Sequence, residues 1–97
     1  MQIGEMAEAL GWKLLTENTD TTREVKGCYC GDLLSWVMGR AKADDVWLTV
    51  MGNVNAIAVA SLADTAGIIL VEDAVLDADA KARAEQQEIA VYGTSLP

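Results

Sequence analysis

Apolar residues recur along this chain in two rhythms, one of about 3.6 residues and one of unbroken short runs, and their alternation predicts its elements. Ile3, Met6, Ala7 and Leu10 fall at helical spacing and Gly11 follows as a stop, so residues 3–10 predict a short amphipathic helix. Residues 12–15 are brief and apolar, a first strand, and residues 17–23 form a polar loop. Residues 25–29 read as a second strand running into a glycine-framed turn, Gly27-Cys28-Tyr29-Cys30-Gly31, that carries both cysteines. Leu33, Leu34, Val37, Met38 and Ala41 make the buried stripe of the next helix, with Asp32 placed to cap its free N–H groups and Gly39 weakening its last turn.

Residues 46–51 are apolar except for Thr49, as in a strand buried on both faces. Gly52-Asn53-Val54-Asn55 turns the chain into a helix with Val54, Ile57, Ala58, Ser61 and Leu62 on its stripe. Val59, Ala60 and Ala63 widen that apolar surface, so this helix is either deeply buried or part of a subunit contact. Residues 67–71 are another uninterrupted strand. Residues 77–88 predict a charged helix with Ala80 and Ala84 inward and an Asp79–Arg83 pair outside. Residues 89–92 are the last strand. From residue 25 onward the order is β-α-β-α-β-α-β with connections too long for hairpins, which predicts a mainly parallel sheet with right-handed crossovers and helices on both faces. The expected class is α/β: a single domain over residues 1–97, three layers α/β/α, with a small, mainly parallel sheet of four to five strands.

Composition narrows the partners. The 97 residues are 52% hydrophobic, with seven Lys and Arg against fifteen Asp and Glu and a formal net charge of -8. Phosphate backbones and anionic lipid surfaces are bound through excess lysine and arginine, so neither nucleic acid nor membrane is an expected partner. No positively charged segment leads into an apolar run at the N-terminus, and no uncharged apolar stretch approaches the roughly 18 residues of a membrane span. The expected location is cytoplasmic, where two cysteines one residue apart are reduced thiols. There is no histidine, which removes the commonest general base and metal ligand together.

Candidate chemistry is sparse. Extended backbone would place Cys28 and Cys30 on one side and Tyr29 on the other, so the two thiols could approach one metal ion. Zinc and iron-sulfur sites want four ligands, and only a site shared across a dimer would reach four thiolates. The alternative reading is two small buried hydrophobes beside a tight turn. In an open parallel sheet, ligands bind beyond the carboxyl ends of the strands. Residues 27–32, 52–55, 72–77 and 93–95 are expected at that edge and outline a small-ligand crevice whose acidic residues disfavour a highly phosphorylated ligand. The candidate ligand-binding residues are Gly27, Cys28, Tyr29, Cys30, Gly31, Asp32, Gly52, Asn53 and Asn55, the asparagines reading equally as turn and cap residues. Glu72 and Asp73 could meet a divalent cation or form a solvated turn. Trp12, Trp36 and Trp47 occupy apolar positions and read as core or interface. Phosphate-loop, dinucleotide-binding and nucleophile-elbow motifs are all absent, which argues against kinase, dehydrogenase and hydrolase activity.

The run from Gly27-Cys28-Tyr29-Cys30-Gly31-Asp32 through Leu33-Leu34-Ser35-Trp36-Val37-Met38, continued by Ala41-Lys42-Ala43-Asp44-Asp45-Val46-Trp47-Leu48-Thr49, resembles the DRTGG-domain family. Ala66-Gly67-Ile68-Ile69-Leu70-Val71 and Ile89-Ala90-Val91-Tyr92-Gly93-Thr94 agree with it in order and spacing. That family is similar to the N-terminal domain of HPr kinase/phosphorylase, and its short stand-alone members carry iron-sulfur-binding hydrogenase labels. The resemblance implies a three-layer α/β/α fold and a non-enzymatic regulatory or accessory domain, commonly a homodimer, that binds a small ligand or a partner protein in anaerobic redox (hydrogenase-linked) or carbon metabolism. It implies no cofactor of its own; the alternative is an iron-sulfur cluster or zinc held by Cys28 and Cys30. The family's Asp-Arg is replaced here around Gly52-Asn53-Val54 and its Thr-Gly-Gly around Val71-Glu72-Asp73, and the kinase half has no counterpart.

Overall fold

The computed structural model describes every residue from Met1 to Pro97. Helix α1 (Ile3–Leu10) starts where Glu5 Oε1 accepts from the Gln2 N–H at 3.0 Å. It ends at Gly11, whose φ of 74° and bond to the Ala7 carbonyl make a left-handed C-terminal cap. Then follow β1 (Lys13–Leu14), β2 (Gly27–Cys30), α2 (Leu34–Arg40), β3 (Asp45–Thr49), α3 (Val54–Ala63), β4 (Gly67–Leu70), α4 (Ala78–Gln86) and β5 (Val91–Gly93). The five strands form one sheet in the order β1-β5-β4-β3-β2. β2, β3, β4 and β5 are parallel, and β1 pairs antiparallel with β5 through Lys13↔Gly93 and Leu14↔Tyr92. The fold is therefore three-layer α/β/α with a mainly parallel sheet.

Strands that follow one another in sequence and in space, joined by crossovers of one hand, put all their crossover helices on one face. α2, α3 and α4 accordingly share a core with Trp47, Ile68, Leu70 and Val91, to which they contribute Val37, Ala56, Ile57, Val59, Ala60, Ala80 and Ala84. α1 alone packs on the opposite face, where Ile3 and Ala7 meet Val46, Ile69 and Tyr92. The apolar surface of α3 is explained by this arrangement. Ile57, Val59 and Ala60 are buried within the chain between the sheet and the flanking helices, and Leu62 is the large apolar side chain left outside. A charge at Ile57 or Val59 would unfold the domain rather than split a dimer.

Trp47 is fully buried, and its indole Nε1 donates to the Gly31 carbonyl at 2.9 Å, tying the exit of β2 to the middle of β3. At the other end of the sheet, Arg23 Nη2 lies 2.9 Å from Asp44 Oδ1 and 2.8 Å from Asp64 Oδ1 and also donates to the Asp64 carbonyl. These bonds anchor the polar segment before β2, which has no apolar stripe of its own.

Three expectations are corrected. Of the two readings of Trp36, core or interface, the first is excluded: it is 52% exposed and stacks under the Arg40 guanidinium at 4.0 Å. The stripe of α2 is narrower than its spacing implies, with Val37 buried and Leu33 and Met38 exposed, because α2 lies over the edge of the sheet with a helix on one side only. Asp79 makes no ion pair with Arg83; its Oδ1 accepts from the Ala80 N–H at 2.9 Å in the first turn.

One buried polar group has no partner, the Tyr92 hydroxyl, in a ring that packs 6.4 Å from Trp12 on the α1 face. An unpaired buried hydroxyl costs about 1–3 kcal/mol. Tyr92→Phe is therefore expected to hold or raise stability in urea denaturation, whereas Trp47→Ala is expected to lose about 3–5 kcal/mol. A clear loss in Tyr92→Phe would show that the hydroxyl is bonded after all.

Candidate functional site

The strand expected over residues 25–29 lies at Gly27–Cys30, so the cysteine-bearing turn expected from Gly27 to Gly31 is strand instead. Gly27, Cys28, Tyr29 and Cys30 pair in register with Asp45, Val46, Trp47 and Leu48, and the Gly31 N–H extends the ladder to the Leu48 carbonyl at 3.1 Å. The register sets the faces: Tyr29 joins the helix-covered core with Trp47, while Cys28 and Cys30 lie on the α1 side beside Val46 and Leu48. Both thiols are free and exposed, so they are not the buried packing residues of the alternative reading. Gly27 stands at the amino end of the sheet opposite Asp45, away from the carboxyl edge where a crevice was expected.

α1 is too short to cover this face as far as β2. An apolar hollow of about 450 Å³ remains between Met6, Leu10 and Trp12 on one side and Val46, Leu48 and Cys28 on the other. Although Cys28 is exposed, partial desolvation of its sulfur against these side chains, with the neighbouring Cys30 adding to it, pushes the thiol up to about 11. Cys28 thus rests protonated at neutral pH. No three metal-ligating side chains of the chain come together anywhere, so a closed zinc or iron-sulfur site does not fit within one chain.

Asp32 does not cap α2. Leu33 occupies the cap position, and Asp32 Oδ1 instead accepts from the Thr49 hydroxyl at 2.8 Å and the Val50 N–H at 3.1 Å. It thereby holds the end of β3 against the exit of β2. Cys30, Gly31 and Asp32 line a cavity of about 300 Å³ with Thr49, Val71 and Glu72, at the carboxyl ends of three parallel strands.

Gly52, Asn53 and Asn55 are not on it. Asn53 is the cap of α3, its Oδ1 accepting from the Ala56 N–H at 2.9 Å, and Asn55 follows exposed in the first turn. Gly52 is buried under the next loop, and a Cβ there would overlap the Val75 carbonyl oxygen. The Asp77 N–H closes the contact on the Gly52 carbonyl at 2.8 Å. The expected crevice between residues 27–32 and 52–55 is thus two separate places.

Glu72 and Asp73 each have φ of 55°, a left-handed conformation that costs a non-glycine residue of order 1 kcal/mol or more. Their N–H groups donate to the Leu96 and Thr94 carbonyls, which fixes the loop against the tail of β5. Beyond this loop opens the largest cavity, about 550 Å³, walled by residues 73–76, by Gly93, Thr94 and Ser95, by Lys13 of β1 and Leu15 just after it, and by Lys81 of α4. Residues 72–77 and 93–95 were expected at this edge, but Lys13 and Lys81 were not. Lysine on a short exposed strand and lysine on a charged helix look like solvated surface, and only the antiparallel return of β1 beside β5 brings them together.

No family model matches the sequence, and no curated protein matches it significantly. No helix is long and apolar enough to cross a membrane.

Two measurements check this geometry. Asp32→Ala removes the acceptor of two bonds between β2 and β3 and is expected to cost about 1–2 kcal/mol in urea denaturation, with no change when Asn55 is replaced by Ala. Iodoacetamide labelling of Cys28, followed by mass spectrometry, is expected to be slow at neutral pH and to accelerate until about pH 11. Because its folded-state value is raised, the thiol favours folding below its ordinary range, and that contribution is lost as the pH climbs through the raised value.

Proposed function

We propose that this chain is a non-enzymatic regulatory or accessory domain of the DRTGG kind, a homodimer that serves anaerobic redox, hydrogenase-linked or carbon metabolism; of the two expected partners, a small ligand or a partner protein, we take the small ligand, bound at the carboxyl edge of its sheet. The observation that carries the reading is the cavity of about 550 Å³ beyond β5, placed where open parallel sheets bind ligands. Its volume suits a small metabolite. The rigid contact of the 72–76 loop with Gly52 makes a wall that a ligand need not order. The likeness of residues 27–49 to ligand-sensing modules supports the same reading.

Thermal unfolding in the presence of a panel of small metabolites tests it. A ligand that binds only the folded chain is expected to raise Tm by several degrees at about 100 times its Kd. A panel spanning neutral, cationic and anionic metabolites that leaves Tm unmoved, with no amide resonance shifted around residues 73–76 and 93–95, would overturn the reading.

A second reading rests on a different observation, that Cys28 and Cys30 stand exposed on one face of an edge strand. Two copies meeting there would bring four thiolates together, enough for zinc or an iron-sulfur cluster. Metal analysis and visible absorption of anaerobically purified protein, compared with a Cys28→Ser, Cys30→Ser variant, decide it. Stoichiometric metal that disappears in the variant supports a metal accessory; metal-free, colourless protein removes it.

A further inference from the structure

We infer that the cavity beside β5 is an oxyanion site, and that its ligand is a small organic acid or phosphate monoester held between Lys13 and Lys81. This rests on the ligand reading above and names the chemistry it would recognise. Fifteen acidic side chains outnumber seven basic ones, so a lysine pair in one cavity runs against the composition of the whole surface. Arg23 and Lys26 are consumed in ion pairs with Asp44 and Asp64 at the other end of the sheet. Lys13 and Lys81 make none, and both face the same space of about 550 Å³ with Asp73 as the single acidic residue on its wall.

The backbone adds donors to this charge. Among the lining residues, the N–H groups of Val75, Leu76 and Ser95 donate to no acceptor in the protein. Ammonium groups and unpaired N–H groups together are what a carboxylate or phosphate takes up, each bond strengthened by the charge. The remaining wall, formed by Leu15, Ala74 and Leu76, is apolar and suits a short hydrocarbon body behind the anionic head. A neutral or cationic ligand would leave the two lysines with Asp73 as the single counter-charge on the wall.

The test is a titration of isotope-labelled protein with butyrate, inorganic phosphate and butyramide at constant ionic strength, followed by amide resonances. Saturable shifts at Val75, Leu76 and Ser95 are expected with butyrate or phosphate and not with butyramide, and the stronger of the two anions identifies the head group. A Lys13→Gln, Lys81→Gln variant is expected to bind about tenfold or more weakly, with its urea midpoint unchanged. Lys42→Gln, at the amino end of the sheet, is expected to bind as the native protein does. Equal binding of butyramide, or undiminished anion binding in the double variant, overturns the inference while leaving the ligand reading in place. Absence of any shift with the anions, alongside a Tm response to a neutral metabolite, separates the two in the same way.

Discussion

The order of the parallel strands governs this domain. Each strand from β2 to β5 lies beside its predecessor, so every crossover returns on the same side, and three helices compete for one face of a short sheet. That crowding selects small residues where helices meet: Ala56, Ala60, Ala80 and Ala84 are all buried at the junction of α3, α4 and the sheet. It also explains why β4, the middle strand, is buried along its whole length while the edge strand β2 alternates. The opposite face is left to a single helix of two turns. α1 covers Ile69, Tyr92 and Val46 and stops short of β2, which is why the cysteines and the apolar hollow beside them face outward.

The carboxyl edge follows from how the loops there lock together. Gly52 accepts the close approach of the Val75 backbone because it has no Cβ, and the strained pair Glu72 and Asp73 is held by bonds to the segment after β5. Three loops thus form one unit, and the largest cavity opens toward β1 rather than at the middle of the sheet. Gly52, a candidate ligand-binding residue in the sequence, is in the fold the place where another loop's backbone packs closely.

Much of the architecture was legible because burial imprints periodicity. The apolar runs of β3 and β4 and the left-handed stop at Gly11 appear as expected, since each is decided within its own segment, while the stripe of α1 holds at Ile3 and Ala7 but leaves Leu10 exposed. Errors arose where a distant partner decides. Glycine and cysteine in residues 27–31 carry turn chemistry, yet pairing with residues 45–48 makes them a strand. Asp32 has the right position for a cap but finds better donors in Thr49 and Val50. Trp36 has core chemistry, and the fold offers it only a neighbouring guanidinium. The candidate site is harder still, because Lys13 and Lys81 become neighbours only when β1 adds antiparallel to β5, a pairing that no local pattern encodes.

The excess of negative charge and the lysine cavity act at different ranges, and their contest sets how such a site would behave. A net charge of -8 repels an approaching anion across the whole surface, but at physiological ionic strength that field decays over about 8 Å. Within the cavity, two lysines and free N–H groups act at contact, each ion contact with a lysine worth about 1 kcal/mol where water still reaches it. Such contacts, with a short apolar body buried beside them, amount to affinities of order 1 mM rather than 1 μM. Added salt then has two opposite effects, easing the approach by screening the long-range repulsion and weakening the bound state by screening the lysines. The second acts on the complex itself, so affinity falls with salt even though the protein as a whole repels the ligand, and only a ligand abundant enough to occupy a weak site would be sensed.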